Sequence, residues 1–167
     1  AGWRMDLAGI ERAFADGART VLLCNPHNPL GLVHARADLV ALARLAAEWD
    51  AVVVSDEIHA PLVHADAVFT PFLSCGPEAV EHGVALTSAS KAWNLAGTKC
   101  ALMVGASERA RGWFDGLPVE VVERTGILGY TASVAAFRDG EPWLASLLAE
   151  LTGNRRILAE ELGTAVP

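Results

Sequence analysis

Four short apolar runs, at residues 20–25, 51–55, 84–88 and 100–105, set the terms on which this chain can fold. None alternates apolar with polar residues as a half-buried strand does. Continuous runs of this length suit strands covered on both faces, the condition of a parallel sheet. Between the first two, residues 37–49 carry Leu39, Leu42, Ala43 and Ala46 at helical spacing, with Asp38 near the start. Strand, helix and strand within about 30 residues make a βαβ unit, so the strands are expected to be parallel. The fourth run follows the third too closely for a crossover helix, which predicts antiparallel pairing there. The expected class is α/β: a mostly parallel sheet with flanking helices.

Beyond residue 55, Pro61, Pro71, Gly76 and Pro77 punctuate a loop-rich stretch. From Glu141 onward, Leu144, Leu147, Leu148, Leu151, Leu158 and Leu162 predict a long amphipathic helix. Pro142 suits its first turn, Gly163 its end, and Gly153 weakens its middle without breaking it. The chain then divides into residues 1–140 and a helix over 141–167 leading towards a further domain. It begins at Ala1 without a methionine, and both ends are expected to be cuts in a longer protein.

Bulk properties narrow the function. A formal charge of −7 argues against nucleic acid or an anionic membrane as the main partner. No apolar run approaches the ~20 residues a membrane span needs, and no basic-then-apolar leader opens the chain. Cys24, Cys75 and Cys100 are odd in number and widely spaced, fitting neither a disulfide framework nor a zinc site. Reduced thiols in a cytoplasmic protein are expected. At 52% apolar and 167 residues, the chain has material for one proper core.

Chemistry concentrates in three segments, each directly after a predicted strand. Asn25-Pro26-His27-Asn28-Pro29-Leu30-Gly31 places two Asn-Pro pairs where open α/β sheets bind ligands, although a plain connecting loop would look the same. Ser55-Asp56-Glu57-Ile58-His59 brings a carboxylate to a strand end, aimed at a cation or serving as a loop cap. Asp56, Glu57, His59 and His64 match no metal-ligand spacing, so no metal is expected. In Thr87–Lys99 hydroxyls and amines crowd a strand end, a setting that suits a phosphate or merely a capped helix with a surface lysine. The chain's only two lysines, Lys91 and Lys99, both fall here, which hints that a primary amine is needed. Three strand ends should converge on one edge of the sheet, and convergence favours a site over three unrelated loops.

Taken in order and spacing, these segments resemble the class I/II aminotransferase superfamily of fold-type-I pyridoxal 5′-phosphate (PLP) enzymes. Within it they look most like the cystathionine β-lyase, or C–S lyase, branch. Gly140-Glu141-Pro142-Trp143-Leu144 and Asn154-Arg155 are similar to that branch too. The resemblance implies that the chain is part of the PLP-binding large domain, with Lys91 holding the cofactor covalently and acting as the catalytic base. It implies that Asp56 pairs with the pyridine nitrogen and that Asn28 bonds the phenolic oxygen. His59 stands near that oxygen, where many aminotransferases have a tyrosine. Ser88, with Ser90, matches the phosphate-binding hydroxyl, and Lys99 the phosphate-binding cation. Leu30 departs from the usual Thr or Gly at a loop position.

The implied reaction is elimination from an S-substituted cysteine, giving thiol, pyruvate and ammonia. Transamination of a small amino acid is the alternative. The glycine-rich phosphate loop and the ring-stacking aromatic are expected earlier than this chain, and the arginine for the substrate carboxylate later. The fragment alone is therefore expected to be inactive, and the whole enzyme a homodimer. Two further readings stand beside this one. Ser88-Ala89-Ser90-Lys91 also fits the S-x-x-K of acyl-serine enzymes, although the companion motifs are lacking. A non-catalytic α/β module that binds a phosphate ligand or a protein would have no need of Lys91.

Overall fold

A computed structural model describes residues 2–163 of the chain. Its helices and strands follow in the order α1 (Leu7–Ala15), β1 (Thr20–Cys24), α2 (Arg36–Glu48), β2 (Val52–Asp56), α3 (Pro77–His82), β3 (Gly83–Thr87) and β4 (Leu102–Val104). They continue with α4 (Glu108–Asp115), α5 (Val119–Glu123), α6 (Ile127–Asp139) and α7 (Glu141–Leu162). The sheet order is β1-β2-β3-β4. The first three strands are parallel and β4 is antiparallel to β3, with Met103 opposite Leu86. The α/β class and the reversed fourth strand are as the sequence predicts. The link from β3 to β4 is a run of turns with one 3-10 turn at Ala96–Thr98 and no α-helix of the kind that usually carries a parallel crossover.

Helix α2 forms because Leu39, Leu42, Ala43 and Ala46 make one apolar stripe, and all four are at most 1% exposed. With Phe14 of α1, Val53 of β2, Ala79 of α3 and Phe72 of the 3-10 turn before α3, they build a single core on one side of the sheet. Each fully buried leucine contributes about 1.5–3 kcal/mol. The opposite side is different. Burial alternates along β2, with Val53 and Ser55 buried and Val52, Val54 and Asp56 only half-buried. Leu22 is 82% exposed, and Leu102, Met103 and Val104 are exposed as well. The expectation of strands covered on both faces is thus corrected among the described residues. Helices α1 to α3 share one core, while Phe114 of α4 and residues of α5 and α6 line the cavity on the second face, near β4.

Periodicity alone did not announce α1, α4, α5 and α6, yet two of them carry legible caps. Asp6 accepts the Gly9 N–H at 2.9 Å at the start of α1, and Ser107 accepts the Ala110 N–H at 3.1 Å at the start of α4. Helix α7 runs as the leucine spacing predicts. Pro142 lies in its first turn, Gly153 does not interrupt it, and Gly163 ends it at φ 60°. None of its residues is buried, so its apolar stripe is only partly covered.

Candidate active site

Parallel strands deliver their C-terminal ends to the same side, so the three segments meet along one edge. The ladder runs past the strands: Asn25 N–H donates to Asp56 O at 2.9 Å, and Glu57 N–H to Leu86 O at 2.8 Å. Strand β4 runs the other way, so its approach through Lys99 starts from that edge too. Asn28, Asp56, His59, Ser88, Ser90, Lys91 and Lys99 all belong to segments that arrive there.

The loop after β1 is shaped by its own backbone. His27 N–H donates to Leu32 O at 2.7 Å and Gly31 N–H to His27 O at 2.9 Å. Gly31 sits at φ 63°, which a residue with a Cβ adopts only at a cost. Asn28 itself is exposed, and its N–H is taken by Cys24 Sγ at 3.3 Å. Behind it, His34 Nε2 lies 3.1 Å from Cys24 O. Burial holds His34 below the usual histidine value, so the ring is neutral at pH 7 and donates Nε2–H to that carbonyl.

Asp56 ends β2 on the more open face of the sheet, where strand alternation puts it opposite to Ser55 and Glu57. Its Oδ1 accepts the Ile58 N–H at 3.2 Å, and no cation pairs with it among the described residues. It lines a cavity of about 1000 Å³ with Ile58, Leu86, Lys99, Leu102 and Tyr130. His59 and Asn28 line a second cavity of about 340 Å³. Helix α7 borders that one through Arg155, which pairs with Asp66 at 2.8 Å, while Thr152 Oγ1 lies 3.0 Å from His64 Nδ1.

In the third segment Ser88 is only 4% exposed. Its hydroxyl lies 2.6 Å from Cys100 O and 2.7 Å from Ser90 Oγ, and it accepts the Ser90 N–H at 3.0 Å. A hydroxyl has one proton, so donation to Cys100 O leaves Ser88 accepting from Ser90. Half-buried Ser90 is therefore the hydroxyl more open to a ligand, and Ser88 is poorly presented as a nucleophile. Lys91 and Lys99 are both exposed, and Lys91 borders neither cavity. The turn that carries Lys91 is pinned from behind. Trp93 Nε1 donates to Gly140 O at 2.9 Å, and its ring meets Phe137 edge-on at 5.1 Å.

The sequence reading did not single out Asn25 and Glu57 as site residues, although both are buried on this edge. The signal was available: Val53, Ser55 and Glu57 share one face of β2 by alternation, so Glu57 continues a buried row.

Comparison with known proteins adds the following. The family model for class I and II aminotransferases matches residues 1–166. The cystathionine beta-lyase of Corynebacterium glutamicum is 38% identical over 157 residues, covering 94% of this chain and 42% of that protein. The structure of the PLP-bound C-S lyase from Staphylococcus hominis superposes with a TM-score of 0.84 at 26% identity, over 98% of this chain and 42% of the other. N-succinyldiaminopimelate aminotransferase from Mycobacterium tuberculosis superposes at 0.82 with 28% identity, over 96% and 41%. The chain thus spans about 42% of the length of the curated relatives it matches.

Proposed function

Because the chain belongs to the class I and II aminotransferase family, we propose that it forms part of the PLP-binding large domain of a C–S β-lyase. That enzyme would cleave an S-substituted cysteine to a thiol, pyruvate and ammonia. The reading is carried by one observation: a carboxylate without a cation of its own among the described residues and two amines arrive at one sheet edge, in a chain 38% identical over 157 residues to a cystathionine beta-lyase.

The donor set fits PLP. Asp56 offers a carboxylate to a protonated pyridine nitrogen, and Lys99 and Ser90, with Ser88 behind, offer a cation and hydroxyls to a phosphate. Asn28 and His59 would flank the phenolic oxygen, and Lys91 would carry the cofactor covalently. When bound, PLP supplies a sink for the electrons left on an amino acid's α-carbon as its proton departs. The Asp56 carboxylate would face the ring nitrogen, where a negative charge favours a proton on that nitrogen. Lys91 Nζ takes the proton from the α-carbon and can return it. In the lyase outcome the Cβ–S bond breaks, its electron pair leaves with sulfur, and water releases pyruvate and ammonia. A second reading, transamination, is favoured by the likeness to the M. tuberculosis aminotransferase.

The finer parts of the proposal follow from the same resemblance. Residues 1–140 belong to the large domain, and the helix Glu141–Leu162 begins the segment 141–167 leading out of it, of which residues 164–167 lie outside the described residues. The full-length enzyme is a cytoplasmic homodimer acting on a small amino acid, in keeping with three free thiols. The 167 residues alone turn over little or nothing, since Lys91 lies exposed.

The test is to load the full-length protein with PLP, reduce with borohydride and map the pyridoxyl group by mass spectrometry. Within this chain only Lys91 and Lys99 offer side-chain amines. A label predominantly on Lys91 is expected, and a label that avoids Lys91 would end the reading. Assaying the same protein with an S-substituted cysteine then separates thiol and pyruvate release from amino-group exchange with a keto acid.

A further inference from the structure

The segment that opens with His59 has no buried anchor: none of residues 59–69 is buried. Its backbone hydrogen bonds are all local. Ala60 N–H donates to Glu57 O at 2.9 Å, Leu62 N–H to His59 O at 2.9 Å and Ala67 N–H to His64 O at 3.0 Å. Among the described residues only two hydrogen bonds join residues 59–69 to a helix or strand, and both end on α7. Arg155 Nη2 donates to Asp66 Oδ2 at 2.8 Å. His64 Nδ1 lies 3.0 Å from Thr152 Oγ1. That hydroxyl gives its one proton to Leu148 O at 2.7 Å, so it accepts the histidine's Nδ1–H.

We propose that Thr152 and Arg155 of α7 are positioning residues for His59: they grip His64 and Asp66 and so fix where the segment that begins at His59 stands. Thr152 and Arg155 are three residues apart and share one face of the helix. His64 and Asp66 lie two apart near the middle of the segment. Two pairs side by side fix the orientation of the segment as well as its distance from α7, which one pair alone would not. The grip also shapes the cavity of about 340 Å³, since His64, Asp66 and Arg155 line it together with Asn28 and His59.

The dependence is mutual. No residue of α7 is buried, and beyond its first turn no other hydrogen bond leaves the helix among the described residues. The Arg155 hydrogen bond holds the Asp66 carboxyl below its ordinary value of 3.8, so the pair is ionic at neutral pH. Both partners are exposed, and such a pair adds little to global stability. Its effect is local: it restricts a segment that has no buried side chain to hold it.

The grip stands apart from the PLP reading; only its bearing on the cofactor, through His59, rests on that reading. The test uses the full-length protein as isolated, followed by hydrogen exchange and mass spectrometry. Thr152→Val combined with Arg155→Ala removes both partners and leaves side chains that a helix accepts. Amides of residues 59–69 are expected to exchange about 3-fold faster or more. Those of α2 and of β1 to β3 should be unchanged, with the melting temperature nearly unmoved. Reversing the ion pair, Asp66→Arg with Arg155→Asp, should slow exchange again relative to Arg155→Asp alone. Unchanged exchange at 59–69, faster exchange throughout the fold, or a reversed pair no better than Arg155→Asp alone overturns the proposal. A double variant that fails to fold overturns it too, because neither side chain is buried. Equilibrium titration with PLP reads the bearing on His59. Affinity is expected to fall about 3-fold without the grip and to recover with the reversed pair. Faster exchange with unaltered affinity would strip Thr152 and Arg155 of their positioning role. Should Lys91 escape pyridoxyl labelling while exchange responds as expected, the cofactor reading falls and the grip of α7 remains.

Discussion

Lys99 holds a left-handed backbone at φ 55° although it carries a side chain. Such a conformation costs a non-glycine residue about 1–2 kcal/mol, and it recurs where function outweighs stability. Here the bend turns the chain from the Lys91 segment into β4, and a cation held there suits a phosphate. Lys99→Gly is therefore expected to stabilise the folded protein by about 1 kcal/mol in a denaturant titration. The same variant should bind PLP roughly 10-fold more weakly or worse, since a charged hydrogen bond is lost. Unchanged PLP affinity, measured by equilibrium titration of the full-length protein, would remove Lys99 from the site. The candidate residues were readable one by one because their types are unusual: two lysines in an arginine-rich chain, and a carboxylate at a strand end. Whether Ser88 or Ser90 faces a ligand was not readable. That depends on Cys100 O, twelve residues away, which draws the Ser88 hydroxyl inward.

At the scale of elements, the turn carrying Lys91 is held by helices that the apolar runs do not reveal. A Cβ on Gly129 would run into Thr98 O, and one on Gly140 into Ala136 O and the Trp93 indole. These glycines let α6 and the α6–α7 junction press against the site segment. Gly140→Ala should push Trp93 off Gly140 O and cost about 1–3 kcal/mol, the usual penalty of overpacking. Thermal unfolding checks the loss. A variant as stable as wild type would show that the junction gives way freely. Strands β1 to β3 and helix α2 were legible because continuous apolar runs and a clean helical stripe leave little choice. Helix α4 was hidden by its polar composition, since Glu108, Arg109, Arg111 and Asp115 mask a helix anchored by Ala110.

Across the whole molecule, the sheet is asymmetric. One face packs against α1 to α3, while Leu22 on edge strand β1 and the residues of β4 stay exposed. Val121 and Val122 of α5 and Ile127 and Leu128 of α6 add apolar surface near β4. Exposed apolar surface of this kind, beside unpaired strand edges, promotes association. The 167-residue chain on its own is expected to self-associate as its concentration rises. Leu22→Lys combined with Val122→Glu and Leu128→Glu should reduce light scattering several-fold without lowering helical content, because none of the three side chains is buried. Equal scattering from both forms would show that this surface is not what drives association.

The amino-acid sequence by itself determined the α/β class, the parallel start of the sheet and its reversed fourth strand. It also determined which residues follow the strands, and so which ones arrive at the edge proposed as the site. These are local consequences of apolar runs, helical spacing and short links. Tertiary structure decided the rest. It chose which sheet face is covered, and it drew the Ser88 hydroxyl inward. It also buried Glu57, whose Oε1 accepts from Ser55 Oγ and from the Phe72 N–H fifteen residues away. Each of those outcomes depends on atoms far apart in the chain being brought within hydrogen-bonding or packing distance, which no local pattern encodes.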